Sequence, residues 1–105
     1  MTIKEPIEFE WDNGNVNKSR KHGIESSESE EAFFDVNKII LKDVLHSGTE
    51  RRYISIGKTK NNKLLFIVFT MRGKKTRIIS ARTLNKKEVH LYEKADSDTE
   101  VQERR

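Results

Sequence analysis

The chain opens on an alternation. Ile7, Phe9 and Trp11 are apolar and Glu8 and Glu10 are acidic, which predicts a strand over 7–11 with one buried face. Asp12 or Asn13 can cap the next segment, 15–23, which reads as a short helix ended by Gly23. A second helix is expected over 26–35. Ser27 and Glu30 fit a reciprocal cap there, the acids sit near the positive end of the dipole, and Ala32, Phe33 and Phe34 make an apolar end. Residues 37–45 predict a strand and 46–50 a turn or loop. Residues 51–57 alternate again and stop at Gly57. After a polar turn, every position from Leu64 to Phe69 is apolar, so the strand over 63–70 needs cover on both faces and belongs in the middle of a sheet. A further turn leads to a strand over 76–82.

The last three strands are joined by two short turns, which predicts an antiparallel meander. Asn85 with Glu88 predicts a capped final helix over 86–94, with Val89 and Tyr92 toward the sheet. Residues 95–105 have almost nothing to bury and are expected to fray. Strand, two helices, meander and helix together predict one α+β domain over 1–94, with the helices on one face of a small antiparallel sheet.

Composition narrows the function classes. The chain has 105 residues, 33% hydrophobic and 36% charged, enough for one modest core. Without cysteine there are no disulfides, thiolate metal sites or cysteine nucleophiles. The first residues lack the apolar stretch of a signal peptide, and the longest apolar run is too short to cross a bilayer, so no membrane association is expected. The charge is unevenly spread. Residues 1–50 hold six Lys/Arg against eleven Asp/Glu, whereas residues 51–94 hold thirteen against two. Such asymmetry suits a polyanionic partner, nucleic acid above all; the alternative is an acidic half that covers the basic half.

The chemistry follows by elimination. His22, His46 and His90 show no metal-binding spacing, so no metal or other cofactor is expected. No serine lies in a G-x-S-x-G turn, and the five glycines stand singly. Cations remain, with a few groups able to move protons. RNA is open to such a set, because its 2′-hydroxyl can attack the adjoining phosphate once positioned, with the added charge stabilised and two protons exchanged. Arg51, Arg52, Arg77 and Arg82 come from the meander and Arg72 from a turn. Arg77 and Arg82 are five apart, so on a straight strand they face opposite sides, and they share a site only if Arg82 lies past the strand end. Each residue also has an ordinary explanation. His22 can complement a helix dipole, Arg82 can pair with Glu88, His46 can be a plain loop residue, and the lysines at 58, 60, 63, 74 and 75 can be solvated turn tips.

Taken in order, F-E-W-D at 9–12, Asn17 with K-H-G-I at 21–24, F-x-D at 33–35, E-R-x-Y-I-x-I-G over 50–57, R-I-I-S-A-R at 77–82 and E-x-x-x-Y-E at 88–93 resemble the BrnT-type toxins. The segment over 24–32 departs from that pattern, being more polar and acidic. The resemblance implies a RelE-like α+β fold and a cytoplasmic endoribonuclease that arrests growth. It implies a BrnA-type ribbon-helix-helix antitoxin, and contact with operator DNA only through the antitoxin complex. Joined to the basic segment, it leads to a metal-independent ribonuclease. Arg51, Arg77 and Arg82 are expected to hold the scissile phosphate and His22 to transfer protons. Lys21, Arg52, Arg72, Lys74 and Lys75 are expected to bind the RNA. The alternative is a non-catalytic nucleic-acid- or antitoxin-binding module acting in autoregulation; a folded but inactive toxin is a third reading.

Overall fold

The continuous apolar run becomes the central strand, as its pattern requires. In the computed structural model, which describes residues 7–103 and side chains through residue 95, the elements are β1 (Glu8–Phe9), α1 (Asn13–Arg20), α2 (Ser26–Phe33), β2 (Ile39–Lys42), β3 (Tyr53–Lys58), β4 (Leu64–Arg72), β5 (Lys75–Thr83) and α3 (Lys86–Glu103). They form one five-stranded sheet in the order β1-β5-β4-β3-β2. The class is the α+β one that the pattern predicts.

Several details differ from the pattern. First, β2 to β5 form the antiparallel meander, but β1 pairs parallel to β5, so the sheet is mixed. Alternation reports a half-buried strand; it carries no information on partner or direction. Second, β2 is shorter than 37–45, and the chain from Asp43 to Arg52 is a loop closed by the Asp43 N–H on the Arg52 carbonyl. Third, α2 is capped two residues earlier than Ser27 and Glu30 suggest. The Glu25 N–H is bonded by Glu28 Oε1 at 2.9 Å, and Glu30 instead accepts the Trp11 indole N–H at 2.7 Å. The last helix also runs past 94 to Glu103. Among the described residues no helix is long and apolar enough to cross a membrane.

The core lies between α2 and one face of the sheet. Leu65, Ile67 and Phe69 of β4 and Ile78 and Ala81 of β5 are buried with Ile24, Ala32 and Phe33. Phe33 stands edge-on to Phe9 and Phe69, at ring-centre distances of 5.6 and 5.1 Å. Small residues let α2 sit close: Ser29 and Ala32 on the helix and Ser55 on the strand are all fully buried. Gly57 is the tightest point, since a Cβ there would lie 2.2 Å from the Ala32 carbonyl oxygen.

The sheet's second face carries Ile54 and Ile56 of β3, paired with Val68 and Phe66 of β4. α3 contacts β3 and turns Glu88 onto Arg82, so it caps one end of this face instead of joining the other helices. All helices on one face was the expectation. It fails because β3 and β4 are apolar on both sides and the second side also needs cover. Among the described residues nothing covers the rest of that face.

Asn15 fastens α1 to the edge of β5. Its Nδ2 donates to the Glu10 and Ile78 carbonyls, each at 2.8 Å, and its Oδ1 accepts the Asp12 N–H at 2.7 Å. Asn15→Leu fills the space but orphans all three groups at a site that is 2% exposed. It is expected to cost about 2–3 kcal/mol, read as a lower denaturant midpoint with an unchanged slope.

Candidate functional site

A β-bulge builds the site. Arg77 pairs with Thr70 and Arg82 with Phe66, while the ladder shifts register between Val68 and Phe69 and leaves Ile79 as the extra residue. Thr70 and Phe66 are four apart on β4 and share a face. The bulge thus brings Arg77 and Arg82 to the same side, although they are five apart in sequence and Arg82 lies inside the strand. The bulge also turns both Ile79 and Ser80 toward the open face.

There, a hollow of 370 Å³ has Ile54, Phe66, Val68, Ile79 and Ser80 as its floor and Lys18, Arg52, His46 and Arg82 around it. Lys18 comes from α1. His46 and Arg52 come from the two halves of the 43–52 loop, which is held rigidly. Ser47 Oγ donates to the Asp43 carbonyl at 2.7 Å and accepts the Arg52 N–H at 3.0 Å. The Asp43 carboxylate lies 2.9 and 3.1 Å from His46 Nδ1. A carboxylate can only accept here, which favours a proton on Nδ1 and leaves Nε2 without a partner among the described residues. The Asp43 side chain is 11% exposed and that of His46 is 68% exposed, an anchored base under an accessible ring.

Arg82 lies flat on the Phe66 ring, 4.0 Å from its centre, and meets Glu88 through two bonds of 2.8 Å. The Glu88 bonds raise its pKa, and the Arg82 bonds in turn hold Glu88 below the usual carboxylate range. Nη1 also donates to the Thr83 carbonyl. Of its five N–H groups, Nε–H and one on Nη2 have no partner among the described residues.

The other arginines divide in two. Arg77 is neutralised: Nη1 meets Glu10 and Asp12 at 3.1 and 2.9 Å, and its side chain is only 16% exposed. Arg72 meets Glu10 and Glu50 at 3.1 and 3.0 Å. To this extent the acidic half does cover the basic half. Arg51 and Arg52, by contrast, have no carboxylate within ion-pair distance among the described residues. Lys74 and Lys75 are exposed at the β4–β5 turn. Lys21 and His22 are exposed in the turn after α1, and neither lines the hollow. The structure therefore gathers Arg52 and Arg82 and leaves Arg51, Arg72, Arg77, Lys21, His22, Lys74 and Lys75 outside the hollow. It adds Lys18 and His46. The Asp-x-x-His spacing at 43–46 is a sequence signal that could have singled out the second of these.

A larger hollow of 560 Å³ lies across α2 and the β3–β4 turn, but Glu30, Glu31 and Asp35 line it and make it a poor host for a polyanion. Among the described residues no set of three His, Asp or Glu side chains could hold a metal ion.

Four carboxylates sit below their ordinary pKa. A bond from Arg77 lowers Asp12, the Glu25 N–H lowers Glu28, and Arg82 lowers Glu88. Burial pushes Asp35 up, but bonds from the Tyr92 hydroxyl and the Asn37 and Lys58 N–H groups outweigh it. Each is more acidic folded than unfolded, so each stabilises the fold above its unfolded pKa and loses that as pH falls through the folded one. The stability these four carboxylates contribute should be constant above about pH 5 and fall progressively below about pH 4. In Glu88→Gln that acid slope should be shallower.

No curated protein matches the chain. A family model described as the ribonuclease toxin BrnT of type II toxin–antitoxin systems matches residues 11–88. That span runs from Trp11 through α1, the whole meander and the Arg82–Glu88 pair, and so takes in every residue of the hollow. With most of its length matched, the chain belongs to the BrnT family of type II ribonuclease toxins.

Proposed function

We propose that the chain is a metal-independent endoribonuclease that cleaves RNA in the hollow on the open face of the sheet. The observation that carries this reading is the joining of unneutralised cations, Arg52 and Lys18, to a carboxylate-held imidazole over one floor. Arg52 and Lys18 take the oxygens of the scissile phosphate, and Arg82 adds its two remaining N–H groups from the far wall. The ribose 2′-hydroxyl attacks the phosphorus in line, and its oxygen bonds there as the bond to the 5′-oxygen breaks. His46 Nε2 accepts the hydroxyl proton, and Asp43 stabilises the imidazolium that results. The leaving oxygen takes a proton from water, and the products end in a 2′,3′-cyclic phosphate and a 5′-hydroxyl. Arg77 braces the site: locked to Glu10 and Asp12, it ties β5 to the start of α1, whose last turn carries Lys18.

Family membership supports the rest of the reading. The toxin acts in the cytoplasm and is neutralised by a BrnA-type ribbon-helix-helix antitoxin, through which alone it meets operator DNA.

The test is pure protein and RNA in excess chelator. Fragments with cyclic phosphate ends, lost in Arg52→Ala, are the expected result. Intact RNA, or cleavage restored only by added divalent metal, contradicts it.

A further inference from the structure

Across Arg52 from the hollow, on the side of the sheet where Lys42 pairs with Tyr53, is a recess of 320 Å³ lined by Lys42, Val44, Ser47, Arg51, Arg52 and Tyr53. We propose that it is a second phosphate subsite, taking a further phosphate of the same RNA strand. The inference rests on the ribonuclease reading of the hollow and extends it.

Three cations converge here without relief. Lys42, Arg51 and Arg52 have no carboxylate within ion-pair distance among the described residues, although an acid follows or precedes two of them in sequence. Asp43, next to Lys42, is turned onto His46 at 2.9 Å. Glu50, next to Arg51, is turned onto Arg72 at 3.0 Å. The fold thus directs both nearby carboxylates elsewhere and leaves three like charges facing one recess, an arrangement that an anion relieves.

Arg52 lines both the recess and the hollow, so the two meet at this residue, around the end of the β2–β3 pair. A strand with one phosphate at Arg52 and Lys18 turns about Arg52 to bring a further one to Arg51 and Lys42. The frame is stiff, because Ser47 fixes the Arg52 N–H and Thr70 Oγ1 donates to the Arg51 carbonyl at 2.6 Å. Guanidinium forks on a fixed backbone suit phosphate oxygens, and repeated phosphates at a regular spacing suit two adjoining cationic sites.

Substrate length separates the subsite from the cleavage site. Wild-type and Lys42→Ala proteins are assayed on a dinucleoside monophosphate, which has only the scissile phosphate, and on a ten-nucleotide RNA. On the longer RNA, Lys42→Ala should raise KM about tenfold with kcat little changed. On the dinucleotide both constants should stay within about twofold. Binding of a 2′-O-methyl ten-mer, which cannot be cleaved, should weaken in Lys42→Ala and in Arg51→Ala, and the slope of log Kd against log salt should fall by about 0.7 in each. Equal losses on both substrates, or unchanged ten-mer affinity and salt slope, overturn the subsite. If wild type cleaves neither RNA, the ribonuclease reading fails, and the 2′-O-methyl binding still decides the subsite. Unchanged ten-mer binding with lost antitoxin binding would make the recess a protein site and also overturn the proposal.

Discussion

Replacing His46 with alanine is expected to lower kcat for RNA cleavage by about two to four orders of magnitude, with the fold intact and RNA affinity little changed. The imidazole contributes little to stability: its side chain is 68% exposed, and among the described residues its bonds are to Asp43 alone. Its value lies in position. The Asp43 carboxylate fixes the tautomer and leaves Nε2 as the base, close to the Arg52 and Lys18 charges that collect the phosphate. Asp43→Asn should cost less, about 10- to 100-fold, since the ring survives but loses its orienting charge. Both variants should keep the wild-type melting temperature within a few degrees. A 2′-O-methyl RNA should bind both as tightly as wild type. His22→Ala decides between the two histidines. A collapse of kcat there, with His46→Ala fully active, would reverse the assignment.

The second large effect concerns the scaffold. Gly57→Ala should destabilise the protein by about 4 kcal/mol or more, a large share of a domain's total stability of about 5–15 kcal/mol. The added Cβ would lie 2.2 Å from the Ala32 carbonyl oxygen and 3.2 Å from its carbon. Both are backbone atoms in the last turn of α2, so no side-chain rotation relieves the clash. The helix must lift from β3, which also loosens Phe33 from Phe69 and Asp35 from the Lys58 N–H. Chemical denaturation should show the loss directly. Wild-type stability in Gly57→Ala would mean that α2 does not approach β3 as described.

Much of this architecture could be read from residue patterns, and the gaps have physical causes. The apolar run 64–69 demanded a central strand because no other position covers both its faces. Asp12 as a cap and Gly23 as a stop are local backbone chemistry, and both hold: Asp12 Oδ1 accepts the Asn15 N–H, and Gly23 has a φ of +75°. The partner and direction of β1 were not legible, because alternation encodes burial and not pairing. Ser29 is polar in the pattern yet fully buried, because its small size suits the close helix–strand contact at Gly57.

The candidate site was legible as a charge and not as a place. That residues 51–94 are strongly basic is visible in composition, but which arginines stay unneutralised depends on where Glu10, Asp12, Glu50 and Glu88 come to lie. Those contacts span up to 67 positions in sequence. The relation of Arg77 to Arg82 was hidden by the bulge at Ile79, since one extra residue reverses the face of everything beyond it. His46 was hidden because its significance depends on loop closure, through Ser47 and the Asp43–Arg52 backbone bond.

The most direct test of the central claim, that RNA docks on the open face of the sheet between Arg52 and Arg82, is an amide chemical-shift map of the protein titrated with a 2′-O-methyl RNA. The account predicts that the shifts gather on Ile54, Phe66, Val68, Ile79, Ser80 and the 43–52 loop, and that Arg52→Ala shrinks them throughout. Shifts gathered instead on α2 and the β3–β4 turn, with the open face silent, would contradict it.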